Sequence, residues 1–196
     1  MPRVNNKDFY VSAINMHGTT AKGLNWHSKR TQIIRFDVLL EMLPEDISDF
    51  CIVDAGCGFA DLYLHMQKKN KIPKEYIGID TLDDMYEIAS QRTGCEILTA
   101  DICKDKLPSA EYYVCSGALN ILNKFETYQF IQNCYSTCGK GFIFNMLHGS
   151  KDSQTYNYFN TKQIELIAKE LNVKEIRMKK DYLDNDISIA FLKETD

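Results

Sequence analysis

The stretch Phe50-Cys-Ile-Val-Asp-Ala-Gly-Cys-Gly-Phe-Ala-Asp-Leu62 decides how the rest of the chain is interpreted. Its first four residues form an apolar run with two β-branched side chains, which predicts a buried strand. Asp54 ends that strand, and Gly56 and Gly58 then allow a sharp turn in which the backbone can approach a ligand closely. The following apolar residues recur at intervals of three and four, which predicts a helix: Phe59, Leu62 and Met66. Strand, glycine turn and helix in this order indicate a nucleotide site in an open α/β sheet.

Two details of the turn bear on which nucleotide it would bind. A dinucleotide fingerprint needs a third glycine three residues after the second, and Asp61 stands there instead. The five residues Asp54-Ala55-Gly56-Cys57-Gly58 resemble motif I of the class I S-adenosylmethionine (SAM) methyltransferases. This resemblance implies that all five contact the cofactor, whose aminoacyl part is held by the strand-end acid and the glycine loop. An ordinary tight turn without a ligand is the alternative.

Composition limits the class of protein. The chain has 196 residues, a net charge of −4 and a sequence pI of about 5.6, so it lacks the overall charge of a nucleic-acid-binding protein. No apolar run is long enough to span a bilayer, and the first ten residues lack the apolar core of a secretion signal. The seven cysteines are scattered without paired spacing, so we interpret them as reduced thiols. We therefore expect one cytoplasmic domain, without nucleic-acid or membrane partners.

A second strand and acid follow the glycine unit. Tyr76 to Asp80 reads as a strand, and Asp80 lies 26 residues after Asp54. An acid at this place can accept both hydroxyls of a ribose, a feature that methyltransferases and dehydrogenases share. We predict that Asp80 and the adjacent Thr81 contact the cofactor. The alternative for Asp80 is a cap on the next helix, predicted from Leu82 to Gln91.

The third and fourth strands end in further candidate residues. Cys95 to Thr99 and Tyr112 to Cys115 read as strands. The resemblance implies that Asp101 receives the adenine amino group and that the backbone of Ile102 contacts the ring. It also implies that the end of the fourth strand faces cofactor and substrate, with these residues: Ser116 and Gly117 at the cofactor, and Asn120 at the substrate or, alternatively, as a helix N-cap. The Asn/Asp-Pro-Pro-aromatic and Pro-Cys motifs of nucleobase-modifying relatives are missing, which argues against a nucleobase acceptor.

The C-terminal part completes the predicted fold. A helix over 125–138, closed by Gly139 as a C-cap, leads to a strand over 142–147, and Thr161 is predicted to N-cap another helix. Between them, Tyr156 and Tyr158 either line a substrate mouth or pack their loop onto the domain. Two alternating strands, 173–178 and 187–192, form a terminal hairpin. The expected fold is a seven-stranded, mostly parallel sheet with an antiparallel last strand, helices on both faces and an N-terminal helical cap.

The N-terminal part, 1–45, is predicted to be an irregular or partly helical arm followed by a cap helix, ahead of a core spanning 50–196. Ser28 is a plausible N-cap and Pro44 sets the end of that helix. The run Gly-Leu-Asn-Trp-His-Ser from 23 to 28, with Gln32 and Arg35-Phe36, is similar to a group of small bacterial methyltransferases of unassigned substrate. This similarity would put four residues at the cofactor or substrate: Trp26, Ser28, Gln32 and Arg35. The alternatives are a ring covering the edge of the core for Trp26 and a surface ion pair for Arg35.

The resemblance implies transfer of a methyl group from SAM to a small-molecule acceptor, leaving S-adenosylhomocysteine (SAH), by a monomer or homodimer. His27 and His148 are the candidate bases, although neither has a recognisable partner. His65, inside the first predicted helix of the core, is interpreted as structural. No metal-ligand spacing is found. A SAM- or SAH-binding protein without turnover and an NAD-type enzyme are the alternative functions.

Overall fold

The computed structural model describes residues 5–194, and these form a three-layer α/β/α fold around one mixed sheet. The sheet contains seven strands: β1 Cys51–Ala55, β2 Glu75–Asp80, β3 Glu96–Thr99, β4 Ala110–Cys115, β5 Cys138–Leu147, β6 Glu175–Lys179 and β7 Asp186–Leu192. Their spatial order is β3-β2-β1-β4-β5-β7-β6, and β7 runs antiparallel to both of its neighbours. The predicted fold class is therefore confirmed.

Six helices surround this sheet in the described part of the chain: α1 Asn6–His17, α2 Lys29–Met42, α3 Asp61–Lys68, α4 Asp83–Thr93, α5 Lys124–Thr137 and α6 Thr161–Glu170. Successive residues of a strand point to opposite faces, so the strands divide their side chains between two layers. Ile52 and Tyr112 pack beneath α2 and α3, whereas Val53 and Tyr113 pack beneath α5 and α6. Both faces of the central strands are thus buried, as expected for parallel strands.

Capping residues explain where the helices begin and end. Ser28 caps α2 as predicted, and its side chain and that of Thr31 satisfy each other's backbone N–H groups. Asn160, rather than Thr161, caps α6, because its side chain accepts the N–H of Gln163. The predicted C-cap at Gly139 is wrong. The chain passes from α5 directly into β5 at Cys138, and Gly139 lies inside that strand.

The seven cysteines are free thiols, as predicted, and four of them are buried. Burial raises the pKa of the Cys115 thiol and, likewise, that of Cys134. These thiols are therefore protonated at neutral pH and behave as small apolar side chains. Over residues 5–194, no helix has the length and apolar character needed to cross a bilayer.

Candidate functional site

A cavity of about 920 Å³ opens at the carboxyl ends of β1, β2 and β4. Most of the predicted site residues line it: Trp26, His27, Arg35, Asp54, Gly56, Cys57, Gly58, Asp80, Thr81, Asp101, Ile102, Ser116, Gly117, Asn120, Tyr156 and Tyr158. Two do not. Ala55 is fully buried and packs in the core, and His148 lies outside the lining. Residues more than a hundred positions apart therefore meet in one space, because the strand ends converge at one edge of the sheet.

The glycine turn forms the floor of this cavity. Gly56 and Gly58 have φ angles of 78° and 53°, a region that residues with a Cβ rarely adopt. The N–H groups of Gly56 and Cys57 donate to the carbonyl of Ile79, which folds the turn against β2. A Cβ on Gly56 would lie 2.5 Å from the Cβ of Ala118. The first glycine is thus required by close packing between two loops as well as by its backbone angle.

Asp54 is a buried carboxyl group at the edge of the cavity. Its Oδ2 accepts a hydrogen bond of 2.7 Å from the hydroxyl of Tyr76. Burial raises the pKa of Asp54 to about 7, and the charges of Asp80 and Asp61 add to this shift, although the bond from Tyr76 opposes it. Asp54 therefore changes its charge near neutral pH and would respond to a positively charged ligand.

Asp80 accepts three backbone N–H groups. Its Oδ1 accepts from Thr81 at 2.8 Å and from Leu82 at 3.3 Å, and its Oδ2 accepts from Gly58 at 2.9 Å. Burial raises the pKa of Asp80, and these hydrogen bonds counteract the rise. A carboxylate has about four acceptor positions, so at least one remains for a ligand hydroxyl. The capping alternative and the ribose role are therefore compatible, and the ribose role stays a prediction.

Asp101 organises the turn that follows β3. Its Oδ1 accepts the N–H of Cys103 at 3.0 Å, and its Oδ2 forms an ion pair with Lys104. Its own N–H donates to Asp105. The next residue, Ile102, is buried and presents an apolar surface to the cavity. The role that the resemblance implies for this turn, to receive an adenine ring, remains a prediction.

The loop after β4 is held by Asn145, a fully buried residue of β5 that the sequence reasoning missed. The Asn145 side chain accepts the N–H of Gly117 and donates to the hydroxyl of Ser116, both at 3.0 Å. Asn120 is not a helix N-cap, because it lies inside a short 3-10 turn over Ala118–Ile121. Asn123 caps α5 instead. An isolated polar residue in an apolar strand was the signal that could have revealed Asn145.

Arg35 reaches from α2 into a buried ion pair. Its guanidinium contacts Oδ2 of Asp186, with an Nε–Oδ2 distance of 2.5 Å, and only 13% of the Arg35 side chain is exposed. The other oxygen of Asp186 accepts a 2.8 Å hydrogen bond from Tyr182. Burial raises the pKa of Asp186 and the guanidinium counteracts this rise. The surface ion pair considered from sequence is therefore wrong, because the pair is buried. Of its two residues, Arg35 lines the cavity.

The segment before α2 packs against two loops that contain glycines, the turn with Gly58 after β1 and the loop with Gly117 after β4. The side chain of Leu24 lies 3.0 Å from where a Cβ of Gly58 would be, and the Trp26 ring lies 2.9 Å from the corresponding point on Gly117. The Arg35 guanidinium sits 5.0 Å from the centre of the Trp26 ring. Trp26 therefore joins the cavity wall as well as the edge of the core, and its contact with a cofactor or substrate stays a prediction.

The N-terminal arm, predicted to be irregular or partly helical, contains the regular helix α1 over Asn6–His17. Asn5 caps it by accepting the N–H groups of Lys7 and Asp8. Its residues Lys7, Phe9 and Tyr10 line the cavity, and none of them was predicted there. The Asn5 cap with Asp8 in the first turn was a helix-start signal that the sequence contained.

Asp61, at the position of the missing third glycine, is also part of the lining and was not predicted as a site residue. Its oxygens accept hydrogen bonds from Gln32 at 3.0 Å and from Arg92 at 2.8 Å. This buried network ties α2, α3 and α4 together at the glycine turn. These hydrogen bonds explain why an aspartate stands at the position of the third glycine.

The candidate bases occupy different surroundings. His27 lines the cavity and is exposed, with no hydrogen-bond partner among residues 5–194. The His148 ring lies 3.2 Å from the hydroxyl of Thr161, outside the cavity lining. Burial and the nearby Lys180 lower the pKa of His148. His65 forms a 2.8 Å contact with Asp37, which agrees with a structural role.

Comparison with known proteins agrees with this arrangement. Residues 52–141, from β1 into β5, match a protein-family model described as a methyltransferase domain. The resemblance to the class I SAM-dependent methyltransferases is therefore confirmed. No curated protein matches the chain in sequence.

Solved structures of methyltransferases share the fold at low sequence identity. Magnesium protoporphyrin IX methyltransferase from Synechocystis PCC 6803 with bound SAH has a TM-score of 0.72 and 13% identity, over 96% of both chains. Human N-acetylserotonin methyltransferase in complex with SAM has a TM-score of 0.65 and 16% identity, over 96% of this chain and 65% of that one. A SAM-dependent methyltransferase from Mesorhizobium loti has a TM-score of 0.62 and 15% identity, over 82% of this chain and 98% of that one. At these identities the likeness establishes the fold.

Proposed function

We propose that the protein is a methyltransferase that binds SAM in the cavity and transfers its methyl group to a small-molecule acceptor. The observation that carries this proposal is the junction of the glycine turn with Asp80, whose carboxylate accepts the N–H of Gly58 and keeps an acceptor position open. The matching domain and the SAM- and SAH-bound structures of similar fold support the choice of cofactor.

The residues present fit this cofactor. Gly56 and Gly58 adopt positive φ angles without strain, which permits the sharp turn at the floor of the cavity. Asp54 would face the ammonium group of the aminoacyl part, and Asp80 would accept ribose hydroxyls. Asp101 and Ile102 would receive the adenine ring. The cavity volume of about 920 Å³ falls within the range of small-molecule sites, with room for a cofactor and an acceptor together.

When bound, SAM supplies an activated methyl group on a sulfonium, so the main task of the protein is to orient the two reactants. The Asn145 bonds to Ser116 and Gly117 fix the loop between the proposed cofactor and acceptor positions. Leu24 packs against Gly58 and Trp26 packs against Gly117, so both side chains cover the loops that would hold the cofactor. His27 is the lining group that could take a proton from an acceptor hydroxyl or amine.

Titration calorimetry with SAM, SAH and NAD tests the proposal. We expect micromolar binding of SAM and SAH and none of NAD. Asp80→Ala should weaken both sulfur ligands at least about tenfold, because hydrogen bonds to a charged group are lost. Asp84→Ala is the matched control, since Asp84 is an exposed acid four residues later on α4, outside the cavity.

Failure of the folded protein to bind either SAM or SAH would contradict the proposal. Binding of both ligands, without methyl transfer to any member of a metabolite pool, would favour the alternative of a SAM- or SAH-binding protein without turnover. Measurable NAD affinity that depends on Asp80 would instead revive the dinucleotide alternative.

A further inference from the structure

Several polar and aromatic groups that the proposed cofactor does not use lie at one end of the cavity. Tyr10 lines the cavity, and burial together with the charges of Asp80, Cys115 and Tyr156 raises its pKa. The N–H of Asn157 donates to the backbone carbonyl of Asn120 at 2.7 Å, which attaches the Tyr156 loop to the segment after β4. We call this region the acceptor end, defined by these lining residues: Tyr10, Trp26, Asn120, Tyr156 and Tyr158.

Asn120 presents a hydrogen-bond donor of fixed orientation. Its side-chain oxygen accepts the N–H of Leu147 at 3.1 Å, which determines where oxygen and nitrogen of the amide lie. Its Nδ2 has no partner within residues 5–194. Leaving an amide donor unpaired in a half-buried place is unfavourable, so this group is suited to an oxygen atom of a ligand.

The Tyr10 hydroxyl is a second group without a hydrogen-bond partner in the part of the chain that the structure describes. Desolvation and the charge of Asp80 raise the pKa of Tyr10, so the hydroxyl is neutral at physiological pH. A neutral tyrosine can both donate and accept a hydrogen bond. Its position near Asp80 and Tyr156 places it where the proposed cofactor and acceptor would meet.

The charges around this end disfavour a charged acceptor. The positive charge of Arg35 is compensated by the buried carboxylate of Asp186, so it offers little attraction for an anion. The same guanidinium sits over the Trp26 ring, which is the strongest cation-binding aromatic face available there. Lys7 and His27 line the cavity but are exposed, so their polar ends stay hydrated. The buried acids Asp54 and Asp80 are assigned to the cofactor in the proposed function. A charged acceptor would therefore lose its hydration without gaining a further buried partner of opposite charge.

On the basis of the proposed function, we propose that the acceptor end receives an uncharged, planar molecule that carries a hydroxyl or carbonyl oxygen. Asn120 donates to that oxygen through Nδ2, and the Tyr10 hydroxyl makes the second hydrogen bond. The rings of Trp26, Tyr156 and Tyr158 provide flat apolar surfaces for such a molecule.

Three probes of similar size and different charge test this inference: 4-hydroxybenzyl alcohol is neutral, 4-hydroxybenzoate is an anion, and 4-hydroxybenzylamine is a cation. Each is titrated into the full chain saturated with SAH, and binding is followed by calorimetry and by the fluorescence of Trp26, the only tryptophan. We expect the neutral probe to bind at least about tenfold more tightly than either charged probe.

Two variants test the assigned groups. Tyr10→Phe should weaken the neutral probe about five- to tenfold through loss of one hydrogen bond, while SAH affinity changes less than about twofold. Asn120→Asp keeps an oxygen for the N–H of Leu147 and removes the donor, so it should weaken the neutral probe at least as much. Tyr86→Phe is the matched control, because Tyr86 is exposed on α4 and lies outside the cavity.

The SAH titration separates the possible failures. If SAH does not bind, the proposed function itself is wrong. If SAH binds but the neutral probe does not, or a charged probe binds as tightly or more tightly, the inference about the acceptor is overturned. Equal affinity of the neutral probe for wild type and Tyr10→Phe, with each protein folded by circular dichroism, would overturn the role of Tyr10.

Discussion

The floor of the cavity and its roof are built in different ways. The floor is the glycine turn between β1 and α3, whose residues are adjacent in sequence and are held by backbone hydrogen bonds to β2. The roof comprises α1 and the segment up to Trp26. Its side chains rest on distant elements, Leu24 on Gly58 and Trp26 on Gly117 and Arg35. The floor of this site is therefore determined by residues that are close in sequence. The roof forms only when distant parts of the chain pack together.

The largest effect is expected at the ion pair that supports the roof. Asp186→Ala leaves Arg35 buried without compensation, which should lower the free energy of unfolding by about 3–5 kcal/mol. Urea denaturation measures this loss, and Trp26 emission should shift to longer wavelength as its neighbour moves. Glu194→Gln, which breaks the exposed pair with Lys174, is the control and should change little. A small effect of Asp186→Ala would mean that the roof does not depend on this pair.

Among the residues of the floor, we expect substitution of Gly56 to lower the free energy of unfolding most. Gly56→Ala combines a positive φ with a Cβ placed 2.5 Å from that of Ala118, so we expect a loss of about 2–4 kcal/mol in unfolding free energy. Gly94→Ala shares a positive φ of 67° but meets only open space, and should cost about 1 kcal/mol. Equal losses in the two variants by urea denaturation would show that packing against Ala118 is unimportant.

Floor and roof meet at Gly117, where the Trp26 ring occupies the space a side chain would need. Gly117→Ala should cost about 1–3 kcal/mol, because φ is 86° and the ring must move away. Displacement of the ring should also increase quenching of Trp26 fluorescence by acrylamide. Unchanged quenching in this variant, with the wild-type unfolding midpoint, would show that Trp26 does not rest on Gly117.

The same contrast explains what could be predicted from sequence. The strands, the glycine turn and the position of Asp80 follow local patterns of period and spacing, and the structure places them at one sheet edge. The contributions of Asn145 and Tyr10 depend on which elements become neighbours, and no local pattern contains that information. Arg35 was placed at the site by resemblance, but its partner Asp186 lies 151 residues away and could not be found by spacing.

The smallest effect, when it is counted per pH unit, comes from the charge of Asp54 on the floor. Its pKa is raised to about 7 by burial in the folded protein, whereas an unfolded aspartate ionises near 4. Between these values the folded state holds a proton that the unfolded state has lost, so this group makes the protein less stable as pH rises from about 4 to 7. Its contribution is at most about 1.4 kcal/mol per pH unit.

Asp54→Asn keeps an oxygen for the Tyr76 hydroxyl and cannot ionise. The slope of unfolding free energy against pH should therefore become less negative in this variant between about pH 4 and 7. Asp80 and Asp186 also affect this slope, but they do so equally in the wild type and in the variant. Asp84→Asn on the exposed surface of α4 should leave the slope unchanged. If urea titrations at several pH values gave Asp54→Asn the wild-type slope, Asp54 would already be ionised in the empty cavity. The floor would then attract a cationic ligand without releasing a proton.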